Sequence, residues 1–564
     1  MKILLVYPFF QQDRAEEENV AALPIGLYYI AASLLEAGHQ VTVANWHALR
    51  DKPEVMESEL RDMAPDLLGI SVFTANRWGA VAAARTAKRV NPSMPVVLGG
   101  IGATFLSDFF LKNFNEFNYV LRGEGESAFV ALARILEQGG PLSGVPNLSW
   151  RDSNGQIWNN ECGPLIQNLD SLSDPAKYFT FRHVVLSRGC PGKCSFCGSP
   201  RFWGPKVRFH SPAYLVRQIR RLVSRGVRFF YVSDDTFTLR RDNVLEFCRL
   251  LREERLGVTW QAISRVDRVD AEMLEAMRLA GCVQISYGVE SGSPRIRETL
   301  RKRTTNEQIR RAFDLTTRHG MLARAYIIYG SPGEDEQSIE ESRSLLDDIR
   351  PLVALFHVLT VLPGTELYDR AQKEFNLTDE AWLSEDEDLL WFDLDPGLEF
   401  EQVHDWGRRL KEAYHDALPR YVQALEVADK PELAPAYADF FARLGMTFDQ
   451  GDYASLYEPS VRESLAQNLF ERALQYAPDA KAYLGLGMLL HRAGEHERAV
   501  ELLGQGAGRF PQEPNLRLCL GIALMNVGRF YEALSHLLEI QQYPQAGSYL
   551  EQCRSMLNEQ DRRR

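Results

Sequence analysis

Short, near-continuous apolar runs alternate with longer amphipathic stretches through the first two thirds of this 564-residue chain. That alternation constrains the fold more than any other feature. Lys2 to Pro8, Val41 to Ala44, Leu67 to Phe73, Pro95 to Leu98 and Tyr119 to Leu121 read as strands. Gly26 to Ala37, Glu54 to Met63, Ala80 to Val90, Phe105 to Phe114 and Ser127 to Gln138 read as the helices between them. Strands lacking polar alternation are buried on both faces, so residues 1–140 are expected to form a parallel sheet covered by helices on each side. A doubly wound α/β sheet of this kind takes its ligand outside the carboxyl ends of its strands.

Those ends carry the loops Ser71-Val72-Phe73-Thr74, Gly99-Gly100-Ile101-Gly102 and Gly123-Glu124-Gly125-Glu126, and glycines there let a flat or bulky ligand approach the backbone. Gly123-x-Gly125-x-x-Ala128 has the form of a dinucleotide fingerprint. It follows the last strand instead of the first, however, and sets two carboxylates where a pyrophosphate would lie.

Residues 141–180 are rich in Pro, Asn, Asp, Ser and Gly and read as a linker with room for one hairpin. Alternation resumes over 181–395, with strands near 183–187, 227–233, 258–264, 282–289, 324–330 and 354–362. Ser211-Pro212 and the capping box Thr305-x-x-Gln308 mark helix starts. Six strand-helix units suit an open, partial (β/α)6 barrel with its active groups at the strand ends.

The first of these strands runs into Arg188-Gly189-Cys190-Pro191-Gly192-Lys193-Cys194-Ser195-Phe196-Cys197-Gly198. Three thiolates at this spacing can converge on one inorganic site. Structural zinc takes four protein ligands, whereas an iron-sulfur cube held by three cysteines keeps one iron open for chemistry. The zinc alternative needs His210 or His183 as fourth ligand, and neither lies in the tight spacing usual for such motifs. Lys193 would favour thiolates by its charge, or is simply a solvated loop residue. The eight cysteines of the chain are otherwise scattered, which suits a reducing compartment better than a disulfide framework. No apolar run has membrane-spanning length, and Met1 to Tyr7 is too strand-like for a signal peptide, so a cytoplasmic protein is expected.

The Cys-x-x-x-Cys-x-x-Cys loop, with aromatic Phe196 before its last cysteine, resembles that of the radical S-adenosylmethionine (SAM) enzymes. The resemblance implies a [4Fe-4S] cluster on Cys190, Cys194 and Cys197. Its open iron is chelated by SAM, which one electron splits into methionine and a 5′-deoxyadenosyl radical. It also implies SAM contacts near Phe196, at Asp234 and Asp235 (methionine amino group), at Glu290 and Ser291 (ribose or methionine carboxylate) and at Gly330 (adenine). Leu362-Pro363-Gly364-Thr365-Glu366 completes the set of strand ends.

Leu23-Pro24-Ile25-Gly26-Leu27, the Leu98-Gly99-Gly100 turn and Arg122-Gly123-Glu124-Gly125-Glu126 resemble the Rossmann-like cobalamin-binding domain of cobalamin-dependent radical SAM enzymes. By that resemblance Gly26, Ser71, Thr74, Gly99, Gly100, Gly123 and Glu124 touch cobalamin. The Asp-x-His-x-x-Gly motif that supplies an axial histidine in other cobalamin proteins is absent. His47 therefore reads as a surface-loop histidine, and the lower face of the corrin is expected to meet water or an apolar wall. The alternative for this domain is a flavodoxin-like scaffold without that cofactor. No cysteine precedes Cys162, which argues against the second cluster of methylthiotransferases, and Cys248 and Cys282 read as small buried hydrophobes.

Residues 396–450 read as a helical connector in which Pro419 breaks a helix spanning Trp406 to Val427. In 451–564, Gly487, Gly494 and Ala499 recur 34 residues on as Gly521, Gly528 and Ala533, with a degenerate copy ending near Pro478. That period resembles the all-α tetratricopeptide repeat, which either offers a groove to a protein partner or serves as a cap or dimer contact.

The combined order implies a cobalamin-dependent radical SAM enzyme, most simply a C-methyltransferase acting on an unactivated carbon. One SAM supplies the methyl group carried by cobalamin, and a second supplies the radical. Cyclisation or rearrangement without methyl transfer, or a non-catalytic corrinoid- or redox-sensing module, are the alternatives. Expected partners are a small-molecule, carrier-bound or peptide substrate and an electron donor such as flavodoxin or ferredoxin. A formal net charge of -12 gives no global field for nucleic acid, and local basic runs such as Arg295 to Arg303 read as solvated helix faces.

Overall fold

The computed structural model describes residues 1–12, 22–392 and 394–563. The first sheet contains β1 (Lys2–Tyr7), β2 (Gln40–Asn45), β3 (Leu67–Ser71), β4 (Val96–Gly99), β5 (Tyr119–Leu121), β6 (Leu148–Arg151) and β7 (Ile157–Asn159), in the order β2-β1-β3-β4-β5-β6-β7. Strands β1 to β5 are parallel. Ile3, Leu5 and Tyr7 of β1 face Leu27, Ala31 and Phe129 on one side. Leu4 and Val6 face Met56, Leu60 and Ala84 on the other. Strand order reverses between β1 and β3, which makes their carboxyl ends the switch point at which such sheets bind ligands.

The polar stretch expected as a linker contributes more than a connection. Its hairpin, β6 and β7, adds to β5 in antiparallel fashion, so the first sheet continues to residue 159.

The second sheet is parallel throughout, in the order β15-β14-β13-β12-β11-β8. Its strands are β8 (His183–Val184), β11 (Phe229–Val232), β12 (Thr259–Ser264), β13 (Cys282–Glu290), β14 (Leu322–Tyr329) and β15 (Val353–Val358). A short antiparallel ribbon, β9 (Ser187–Arg188) with β10 (Arg208–Phe209), flanks the cysteine loop. Alternate residues such as Val184, Phe230, Val232, Trp260, Ala262, Ile285 and Ala323 pack beneath the surrounding helices. Ser211 Oγ accepts from the Tyr214 amide at 3.1 Å, and Thr305 and Gln308 exchange capping bonds of 3.2 and 3.0 Å, so both expected helix starts are chemically capped.

The remaining residues form a helical region. The helix Phe400–Gln423 runs through Pro419 without a break. Proline removes the amide that would bond the His415 carbonyl, and Tyr457 Oη donates to that carbonyl instead, at 2.7 Å. Ala434–Asp449, read from sequence as connector, packs with Pro459–Tyr476 at the start of the helical stack. Farther along, a Cβ placed on Gly487 would lie 2.5 Å from Leu503, and one on Gly521 would lie 2.8 Å from Leu537. The same close helix contact thus recurs 34 residues on. Among the described residues no helix is long and apolar enough to cross a membrane.

Candidate cofactor site between the two sheets

The cysteine loop leaves β9 at the boundary between the two α/β domains. Gly192 sits between the thiols: its added Cβ would lie 3.3 Å from Cys190 Sγ and 3.9 Å from Cys194 Sγ, and its amide donates to Cys190 Sγ at 3.4 Å. All three cysteines are free and half-buried. Burial pushes the Cys197 thiol up to about 11, and raises that of Cys194 against the opposing charge of Lys302. The nearby cations are Lys302 and Arg265, whereas Lys193 is exposed. Lys302 Nζ lies 2.7 Å from Glu290 Oε1, and both side chains are buried.

Among the described residues no three His, Cys, Asp or Glu side chains close on a single ion. The proposed fourth zinc ligands are engaged elsewhere: His210 stacks on Tyr214 and bonds Asp170 at 3.1 Å, and His183 Nδ1 lies 2.8 Å from Ser233 Oγ. Three thiols on one loop, with neither histidine free to join them, suit an open-cornered cluster better than tetrahedral zinc.

Two adjoining cavities open beside this loop. The first, of ≈ 380 Å³, runs from the carboxyl ends of β1, β3, β4 and β5 down between Leu5, Ile70, Leu98, Leu121 and Phe129. Gly26, Ser71, Gly99, Gly100, Gly123 and Glu124 all line it. Gly26 and Gly123 have nothing within 4 Å of an added Cβ, while Gly100, at φ +96°, would clash with the Val72 carbonyl at 2.8 Å. These positions form a glycine cradle above an apolar shaft, which fits a flat macrocycle with an appended tail. The second cavity, of ≈ 500 Å³, shares Pro24, Ile25, Gly26, Phe73, Ile101 and Ser233 with the first and adds Thr74, Phe105, His183 and Gly198.

Several expected site residues are placed otherwise by the structure. Asp234 is 1% exposed, its carboxylate taken by the Leu186 amide (2.9 Å) and the Ser187 hydroxyl, and burial raises its pKa to about 7. It clasps backbone and does not face an ammonium. Asp235 does open into the first cavity, held by Ser199 Oγ at 2.8 Å. Its side chain is solvent-accessible there, and partial desolvation raises its pKa too. Glu290 belongs to the Lys302 pair, at a β-bulge where its φ is +67°. Ser291 is buried against Ser342 (3.3 Å). Gly330 lies under Val403 and Trp391, 2.7 and 3.2 Å from an added Cβ. Phe196 is half-buried and packs into the hydrophobic cluster of the first domain. His47 is half-buried too, not on an open loop, with ring centroids 5.6 Å from Phe10 and 6.4 Å from Tyr7.

The matches to known proteins follow this geometry. The radical SAM superfamily model matches residues 184–346 and the B12 binding domain model residues 20–133. An uncharacterized methyltransferase of Pyrococcus horikoshii is 31% identical over 383 residues, 66% of this chain and 83% of that protein. The chain belongs to the radical SAM superfamily. An anaerobic magnesium-protoporphyrin IX monomethyl ester cyclase of Rubrivivax gelatinosus is 29% identical over 390 residues, 65% of this chain and 69% of its own. The radical SAM methyltransferase TsrM of Kitasatospora setae, solved with cobalamin and a [4Fe-4S] cluster, shares the fold at TM-score 0.63 and 18% identity, covering 83% of this chain and 99% of that one. This radical SAM enzyme is thus one whose cofactors are an iron-sulfur cluster, SAM and cobalamin.

Sequence reasoning missed the contact that joins the halves of the radical SAM enzyme. Glu124 and Glu126 of the first domain hold Arg188, two residues before Cys190, and Glu124 also holds Arg208 at 2.7 Å. Burial alone would lower the Arg188 pKa, but Glu126 and Glu124 carry it above the ordinary range. The Arg188 guanidinium also lies over the rings of Tyr29 (5.4 Å) and Trp203 (5.3 Å), both in the wall of the first cavity. Only the pairing of two carboxylates in Gly123-Glu124-Gly125-Glu126 hinted at it. A second such contact is Arg77, 1% exposed, which donates to the carbonyls of Trp382 (2.9 Å), Asp388 (2.6 Å), Ser384 and Glu387 (both 2.8 Å) and so pins the segment after the second sheet onto the first domain.

Proposed function

We propose that this cobalamin-dependent radical SAM enzyme methylates an unactivated carbon of a small or carrier-bound substrate, with cobalamin along the glycine-lined edge of the first sheet, the cluster on Cys190, Cys194 and Cys197, and the open parallel sheet serving as the partial barrel. The observation that carries this reading is the sharing of one wall by the two cavities directly beside the cysteine loop. When bound, the cofactors supply one-electron cleavage of SAM and a transferable methyl group. The chain supplies placement. Asp235 and Ser233, at the end of β11, are the polar groups open to the cavities that can accept the SAM ammonium, in the place first given to Asp234. Leu23, Phe73, Phe105 and Leu362 exclude water from the space in which a reactive carbon would be held. The methyltransferase relative supports methyl transfer, and the cyclase relative supports the second reading, ring closure without it. We read the recurring glycine-leucine contacts of the C-terminal helices as tetratricopeptide-like, a surface for a protein partner.

Methyl-labelled SAM separates the two readings. Label in the product supports methylation, and deoxyadenosine without product label supports cyclisation or rearrangement. Replacing any one of Cys190, Cys194 or Cys197 by alanine should abolish bound iron and deoxyadenosine formation. Full iron content and turnover in such variants would reject the cluster assignment.

A further inference from the structure

His183 begins β8 and lines the second cavity. Its ring stacks on Tyr231, with centroids 4.6 Å apart and planes 9° apart, and its Nδ1 lies 2.8 Å from Ser233 Oγ. Ser233 Oγ is also 3.4 Å from the Tyr231 carbonyl, to which it can only donate. Directing the one serine proton there makes the serine oxygen the acceptor for His183, which assigns the imidazole proton to Nδ1 and the lone pair to Nε2. The ring is half-buried, and among the described residues Nε2 has no hydrogen-bond partner and is not sealed from solvent-accessible space. Burial holds the ring's pKa below the ordinary histidine range, which keeps that lone pair available at neutral pH.

The surrounding wall is mostly aromatic and apolar: Tyr7, Phe10, Phe73, Phe105 and Leu362. Such walls favour flat rings, and an unpartnered acceptor in a low-dielectric wall selects ligands that bring it a donor. We propose that His183 is a substrate-positioning residue whose Nε2 accepts a hydrogen bond from an N–H or O–H group on a planar, largely apolar substrate in the second cavity. This rests on the reading that cobalamin occupies the glycine-lined edge of the first sheet.

The test uses the chain reconstituted with cluster and hydroxocobalamin, and two probes that differ by one donor, indole and 1-methylindole, titrated by ligand-observed NMR. The wild type should bind indole roughly ten-fold more tightly, the scale of one hydrogen bond. His183→Phe, which keeps the stack on Tyr231, should erase the preference. His183→Gln, with an acceptor oxygen, should retain part of it, and Ser233→Ala, which frees the tautomer, should weaken it. Hydroxocobalamin affinity, read by visible absorbance, should be unchanged in His183→Phe. Equal binding of the two probes by the wild type, binding of neither, or a preference that survives in His183→Phe would overturn the inference. So would a matching loss of hydroxocobalamin affinity, since the imidazole would then serve the corrinoid. Failure of the wild type to take up hydroxocobalamin overturns the cofactor reading and the inference with it, whereas uptake without donor preference overturns the inference alone.

Discussion

Oε1 of Glu124 lies 2.7 Å from Nη1 of Arg188, and the two side chains are 5% and 6% exposed. One residue ends the glycine loop after β5 and the other leads into the cysteine loop, so the pair fixes one cofactor domain against the other. Glu124 Oε2 also accepts from the Ile166 amide at 2.9 Å and from Arg208. Glu124→Ala would leave buried Arg208 without a carboxylate and Arg188 with Glu126 alone, which costs about 3–5 kcal/mol. The midpoint of the first urea transition should fall accordingly. Glu124→Ala with Arg188→Met should lose less than the sum of the single variants, because each single change breaks the same Glu124–Arg188 pair.

Two buried carboxyl groups make stability depend on pH. Asp234 and Glu334, whose ordinary values are 3.8 and 4.5, are each raised by burial to about 7. The folded chain therefore binds more protons than the unfolded chain between about pH 4 and pH 7. The contribution of these groups is most favourable below about pH 4, declines through that window and levels off above about pH 7. For Asp234 the full span is on the order of 4 kcal/mol. Chemical denaturation of the cofactor-free chain at about pH 5 and about pH 7.5 should give the higher midpoint at the lower pH, and Asp234→Asn should reduce that difference.

The strands of both sheets were legible because apolar runs such as Val184 to Leu186 and Phe229 to Val232 have no polar alternation, and the cysteine loop because its spacing is chemical information in itself. What escaped has a common physical reason. Arg188 and its acidic partners are 62 to 64 residues apart in the chain, and Lys302 is far in sequence from Cys194, so no local pattern records either contact. Asp234, Ser291 and Gly330 were chosen correctly as strand-end positions. Only packing reveals that Asp234 and Ser291 bond Leu186 and Ser342 and that Gly330 is covered by Val403 and Trp391. The hairpin Leu148–Asn159 was legible as a hairpin, but its polar edge-strand residues gave no sign that it extends the first sheet.

Gly288 tests the buried pair beside Cys194. An added Cβ there would lie 2.2 Å from Glu290 Oε1 and 2.6 Å from Lys302 Nζ, so Gly288→Ala must displace one partner of a buried ion pair. The expected loss is about 3 kcal/mol in unfolding free energy. With Lys302 moved, the charge that opposes the burial of Cys194 is weakened as well. Iron uptake during reconstitution should therefore slow at near-neutral pH and recover as pH is raised, because the thiolate is the ligand form. Uptake that is as fast as wild type at every pH would show that Lys302 does not assist the thiol.

In the helical region, the Tyr457 hydroxyl is the donor that lets the helix Phe400–Gln423 pass Pro419. Tyr457→Phe keeps the ring packed against Phe448, 5.8 Å between centroids, and removes only the 2.7 Å bond to the His415 carbonyl. The carbonyl then lacks both its helical donor and its substitute, at a cost of about 1–3 kcal/mol. Because Phe356 of β15 packs against Tyr414 on the same helix, the weakened turn sits directly on the edge of the second sheet. Hydrogen exchange should rise first at residues 411–423 and then along β15, with β8 at the far edge of that sheet unchanged. Pro419→Ala in the same background should restore protection by returning the missing amide. If Tyr457→Phe leaves exchange in this helix as slow as in the wild type, the hydroxyl is not what carries the helix through the proline.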